Sequence, residues 1–184
     1  MKVFHKDIVA HHSQPRFVID VGGYLGDYTS EIYNKFLCSI LIFEPIAEYA
    51  EICRKRFELN PNIKVVQMAL GGVKGQATIY KSKLSSSVFR ELAKGNNEEV
   101  VQVGLLSEFM NNEVDLVKLN CEGAEYDIIY ELIKTGWLPK IPEILIQFHG
   151  IKNYKVIGEE LRLELAKTHK LTFKIKTWEL WKKI

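Results

Sequence analysis

The stretch 17-FVIDVGGYLGDYT-29 decides how this chain is read. Phe17, Val18 and Ile19 are an apolar, β-prone run closed by Asp20; Gly22, Gly23 and Gly26 follow, and an amphipathic segment starts at Asp27. The pattern predicts a strand, a tight glycine turn and a helix. Such a turn lets backbone approach a ligand, aims the first N–H groups of the helix at it, and leaves a carboxylate at the strand's carboxyl end.

Outward from this turn, residues 27–37 carry Ile32, Phe36 and Leu37 in a helical rhythm, and residues 40–43 are a continuous apolar run ending in Glu44-Pro45. Residues 46–59 form a helix with Ala50, Cys53 and Phe57 on one side, stopped by Asn60-Pro61. A third strand over 63–70 ends at Gly71-Gly72. This alternation implies right-handed crossovers and a parallel sheet whose ligand crevice lies at the strands' carboxyl ends. Residues 77–81 alternate like a strand, 85–87 read as a loop and 94–99 as a mobile surface segment. A short strand over 100–103, a short helix over 107–111 capped by Ser107 and a buried strand over 114–121 come next. In the following helix Ala124, Ile128, Leu132 and Ile133 face inward, Glu125, Asp127 and Glu131 turn outward, and Gly136 is the stop. A strand over 143–148 precedes His149, and a helix over 156–167 and strands over 171–177 and 179–184 complete a single domain over 1–184, without repeats or linkers.

The 25 Lys and Arg nearly balance the 23 Asp and Glu, so bulk charge demands neither nucleic acid nor an anionic membrane as partner. The lysines near the end, Lys170, Lys174, Lys176, Lys182 and Lys183, read as a solvated face. Cys38, Cys53 and Cys121 have neither zinc-knuckle spacing nor an even count, which fits a reducing cytoplasm. No apolar run approaches the roughly 18 to 20 residues of a membrane span, and the first residues lack the apolar middle of a signal peptide. His11 and His12 have no third ligand spaced to join them, so no metal is expected.

Polar residues therefore close four strands: Asp20, Glu44, Asn120 with Glu122, and His149. A parallel sheet brings them to one crevice although they are far apart in sequence. Glu122 falls at the positive end of the helix that follows it. The glycine spacing GGxxG lacks the GxGxxG of a dinucleotide site, which disfavours a nicotinamide-dependent oxidoreductase.

Five motifs in order, DVGGYLGDYT at 20–29, FEP at 43–45, ALGG at 69–72, KLNCEGAEYDII at 118–129 and QFH at 147–149, resemble the FkbM family of S-adenosylmethionine-dependent methyltransferases. The resemblance covers residues 17–150. It implies a Rossmann-like class I methyltransferase fold: an α/β structure with a mostly parallel central sheet, helices on both faces and an antiparallel C-terminal strand pair. It also implies S-adenosylmethionine as cofactor and O-methylation of a hydroxyl on a sugar, glycan or polyketide-like small molecule. By position, Asp20, Gly22, Gly23 and Gly26, with Tyr24 in the turn, would line the methionine part of the cofactor. Glu44, followed by Pro45, would hold the ribose, and Met68 and Ala69 would lie near adenine. Asn120 and Glu122 would face the reaction centre or the cofactor's amino group. His149 is the candidate base, with Glu122 as the alternative.

The departures carry weight. Tyr24 stands where the family usually has Asn, Asn120 where it often has Asp, and Gln147 where it often has Glu. An amide brings no negative charge and is no general base, so an impaired cofactor-binding module is the competing expectation. Residues 81–97 are the candidate lid, with Ser85 to Ser87 as acceptor contacts.

Overall fold

A computed structural model describes residues 5–81, 97–150 and 155–184. Its centre is a seven-stranded sheet in the order β3-β2-β1-β7-β8-β10-β9. β1 (Phe17–Val21), β2 (Ser39–Phe43), β3 (Ile63–Val66), β7 (Leu116–Leu119) and β8 (Glu143–Gln147) run parallel. β10 (Trp178–Lys183) is antiparallel to both β8 and β9 (His169–Ile175), giving the expected C-terminal pair.

The apolar runs read as strands are buried because helices cover both faces. On one face Val18, Ile40 and Leu145 pack with Tyr28 and Ile32 of α2 (Asp27–Phe36), and with Ile8 and Val9 of α1 (His5–Val9), a short helix that sequence reading did not foresee. Phe57, just after α3 (Ala47–Arg56), joins this face. On the other face Ile19, Val117 and Ile144 pack against Ile128, Ile129 and Leu132 of α4 (Glu125–Lys134) and Leu161 and Leu165 of α5 (Lys155–Ala166). Among the described residues no helix is long and apolar enough to cross a membrane.

Three expectations are corrected. The strand over 63–70 is broken: β3 ends at Val66, and β4 (Ala69–Leu70) leaves the main sheet for a second one, in the order β4-β6-β5. That sheet uses β5 (Gly75–Lys81) and β6 (Asn97–Gly104), so residues 97–99 belong to a strand antiparallel to β5 and not to an irregular segment. In α4 only Asp127 of the three carboxylates is exposed, while Glu125 and Glu131 are buried. The candidate lid, with Ser85 to Ser87, lies outside the described residues apart from its two ends.

His12 likewise has a structural place. Its Nδ1 lies 2.9 Å from Glu143 Oε2 and its Nε2 3.0 Å from the Tyr28 hydroxyl, tying α1 to the sheet's far end. Among the described residues no group of three or more His, Cys, Asp or Glu could hold a metal ion.

The glycine turn is where the sheet tolerates least change. Gly22 has φ of 79°, in the left-handed region, and a Cβ there would sit 1.8 Å from the Asn120 carbonyl oxygen. Gly22→Ala should therefore destabilise the chain by at least roughly 1–3 kcal/mol, the range for a residue forced into such backbone, with the clash adding to it. Urea denaturation compared with wild type measures the loss.

Candidate active site

The site begins with a cross-strand pair. In the parallel register Asp20 of β1 stands beside Lys118 of β7, and both side chains are buried. The Lys118 ammonium donates to Asp20 Oδ1 at 2.7 Å, to the Gly22 carbonyl at 2.7 Å and to the Val21 carbonyl at 3.2 Å. Thr29, in the first turn of α2, donates its hydroxyl to Asp20 Oδ2 at 2.7 Å. Strand, turn and helix start are joined through one carboxylate and one ammonium. Asp20 is thus fully engaged behind the turn and is not among the residues that line the cleft. Gly23 and Gly26 also support the turn from behind: a Cβ at Gly23 would meet Ile42 Cγ2 at 2.2 Å, and one at Gly26 would meet the Phe57 ring at 2.7 Å.

In front of the turn, at the carboxyl ends of the parallel strands, lies a cleft of about 850 Å³, counting the space open to solvent at its mouth. Gly22 and Tyr24 form its floor, Glu44 and Pro45 one side, and Met68 and Ala69 the end of β3 and the start of β4. Asn120 and Glu122 close the opposite side. These eight are the part of the expected set that the fold brings together. Ile46 and Ile79, the latter from the second sheet, complete an apolar wall that sequence reading missed.

Glu44 shapes both the turn and the wall. Its Oε2 accepts the Tyr24 N–H at 2.8 Å and its Oε1 the Ile46 N–H at 3.0 Å. Burial pushes its pKa up to about 7, and the two backbone hydrogen bonds offset only part of that. Tyr24 itself has φ of 50° and packs edge-to-face on Tyr49, with ring centroids 4.7 Å apart. On the other side, Asn120 Oδ1 is buried with no hydrogen-bond partner, which marks a place for a donor from a ligand.

The turn after Asn120 is held by Glu125. Its Oε1 accepts the Cys121 N–H at 2.7 Å and its Oε2 the Gly123 N–H at 2.8 Å. These bonds to the turn that precedes α4 hold the carboxylate inward rather than outward. His149, at the end of β8, places Nδ1 2.8 Å from Glu125 Oε1 and Nε2 3.4 Å from Glu122 Oε1. Burial alone would lower its pKa, but the two carboxylates raise it to about 10, so the ring is cationic at neutral pH. His149 does not line the cleft, and both its nitrogens are taken, which argues against the expected role as base.

Lys118, Thr29 and Glu125 were the residues sequence reasoning passed over. A lysine inside an otherwise apolar strand, set opposite the Asp20 strand, was the available signal.

The chain shares its fold with class I methyltransferases. The structure of methyltransferase FkbM from Methylobacillus flagellatus KT superposes with a TM-score of 0.68 at 10% identity, covering 98% of this chain and 48% of that one. This chain thus spans about half the length of that protein. A putative rRNA-methylase from Clostridium thermocellum gives 0.61 at 12% identity, covering 98% and 93%. The S-adenosylhomocysteine-bound methyltransferase PaMTH1 from Podospora anserina gives 0.55 at 9% identity, covering 97% and 74%. At these identities the likeness concerns the fold. In sequence, Methyltransferase 1 of Beauveria bassiana (strain ARSEF 2860) is 26% identical over 172 residues, 74% of this chain and 69% of the relative. Residues 7–175 match the methyltransferase FkbM domain, and the chain belongs to that family.

The ion pair supplies a direct test. Lys118→Met should cost about 3–5 kcal/mol, because it leaves a buried carboxylate uncompensated, whereas adding Asp20→Asn should restore much of the loss. Chemical denaturation of the single and double variants reads the difference.

Proposed function

We propose that this chain transfers a methyl group from S-adenosylmethionine to a hydroxyl of a small neutral acceptor, a sugar, glycan or polyketide-like molecule. The observation that carries the reading is the pairing, across one cleft, of the Glu44 carboxylate with the unpartnered Asn120 Oδ1. Glu44 suits two ribose hydroxyls, since each carboxylate oxygen keeps a lone pair beyond its backbone hydrogen bond. Asn120 Oδ1 suits the donor of an ammonium group, and Met68, Ala69 and Ile79 suit the face of an adenine. Family membership and the S-adenosylhomocysteine in the Podospora anserina structure support the same cofactor.

When bound, S-adenosylmethionine supplies a sulfonium methyl for transfer to an acceptor oxygen, with the carbon–sulfur electron pair leaving on sulfur. The chain's own part is to hold both reactants in line and to receive the hydroxyl proton on a carboxylate facing the cleft, Glu122. The three cysteines are unpaired, in keeping with a cytoplasmic acceptor.

Labelled S-adenosylmethionine offered with saccharides, polyketide-like phenols and bulk RNA tests the acceptor. Label in the first two classes is the expected result; label in RNA alone overturns the acceptor class. The amide at Asn120 motivates a second reading, a cofactor-binding module without transfer, and cofactor binding with no labelled product in any class would favour it.

Glu44 adds a pH signature. The hydroxyls of a ribose favour its ionised form, so S-adenosylhomocysteine affinity should fall as pH drops below 7, by up to about tenfold per unit. In Glu44→Gln the affinity should be weaker by roughly 1–3 kcal/mol and the pH dependence flat. Calorimetry between neutral and acid pH measures both; a flat profile in the wild type would show that Glu44 does not hold the ribose.

A further inference from the structure

His149 lies outside the cleft wall yet touches the turn that forms it. An imidazole flanked by a carboxylate oxygen at each nitrogen is satisfied only when both nitrogens carry protons, because a neutral ring would turn one lone pair toward an oxygen. A ring in that state has no lone pair with which to take a proton. The two carboxylates around it differ in access: the Glu122 side chain keeps 25% of its surface open, whereas that of Glu125 keeps none. Glu125 also holds the N–H groups of Cys121 and Gly123, so imidazole, buried carboxylate and turn backbone form one unit. Glu122 is the carboxylate this unit presents to the cleft beside Asn120.

We infer that His149 is a fixed cation that positions Glu122 at the acceptor end of the cleft, and that Glu122, not the imidazole, receives the acceptor's proton. The inference rests on the cofactor reading above. Among the described residues the other charges on this turn do not compete: Lys118 directs its ammonium to Asp20 and to the carbonyls of Val21 and Gly22, and Glu125 is committed to backbone and to the ring itself. His149 is therefore a positioning residue, and its effect on chemistry passes through Glu122.

No acceptor is needed for the test. Sinefungin, in which a carbon replaces the sulfur of S-adenosylmethionine and an amine on that carbon takes the place of the methyl, reports the charge at the methyl position when its affinity is compared with that of S-adenosylhomocysteine. Calorimetry at neutral pH should show wild type preferring sinefungin by about tenfold, the gain of one charge-assisted hydrogen bond. Glu122→Gln should abolish that preference with S-adenosylhomocysteine affinity kept, and His149→Gln should reduce it. In the wild type, ¹⁵N resonances of the His149 ring should show both nitrogens protonated to about pH 9, and the titration should move to lower pH in Glu122→Gln. This last measurement stands even where His149→Gln fails to fold. S-adenosylhomocysteine binding with equal affinity for sinefungin in wild type and Glu122→Gln overturns the inference alone, as does a His149 ring that titrates below neutral pH. A wild-type chain that binds no S-adenosylhomocysteine overturns the cofactor reading and the inference with it.

Discussion

Asp20 and Lys118 meet side by side in adjacent parallel strands, out of water, and the geometry of the cleft follows from that contact. A buried pair of this kind is a weak source of net stability, because desolvation of two charges offsets most of their attraction. Its contribution here is directional. The ammonium gathers the carbonyls of Val21 and Gly22, which leave the strand just where the ladder ends, and the carboxylate takes the Thr29 hydroxyl from the next helix. Gly22 can then lie against the Asn120 carbonyl, and the ends of β1 and β7 close to a distance no side chain at that position would permit.

The two sides of the cleft put carboxylates to different uses by surrounding them differently. Glu44 is buried and takes only backbone N–H groups, so its charge is costly and its proton affinity high. Glu125 is equally buried but has two N–H donors and a cationic ring. Glu122 shares that ring and keeps contact with solvent and cleft. Environments that separate chemically identical groups in this way divide labour within a site. The ribose side of the proposed cofactor cleft would then respond to pH.

Much of this was legible in the sequence because the main sheet is made of continuous apolar runs ending in polar residues, and such runs have few other places to go. Residues 17–20, 40–43 and 143–148 are of that kind. The second sheet was not legible. β4 has two residues, and in β6 the residue types do not follow the burial, since Val100 is 65% exposed while Glu99 is half-buried, and its partners are set by pairing distant in sequence. Glu125 was misplaced for a different reason. Helical periodicity sends carboxylates to water, but the N–H groups of Cys121 and Gly123, in the turn before α4, draw Glu125 inward, and His149, just beyond β8, joins it there. The cleft wall followed the motifs closely at Glu44, Met68, Ala69 and Asn120; what the motifs did not reveal was that Asp20, Gly23 and Gly26 act from behind it.

Glu122 has φ of 52°, a left-handed backbone that glycine adopts freely and a glutamate does not. Holding it there stores about 1–2 kcal/mol, and the hydrogen bonds from Cys121 and Gly123 to Glu125 keep the turn from relaxing. On folding grounds alone glycine would be the better residue at this position. A lineage selected only for heat resistance would thus be drawn to remove the carboxylate, and one that kept its chemistry would have to gain stability elsewhere in the sheet. With the role proposed for Glu122, position 122 is where durability and activity pull this chain in opposite directions.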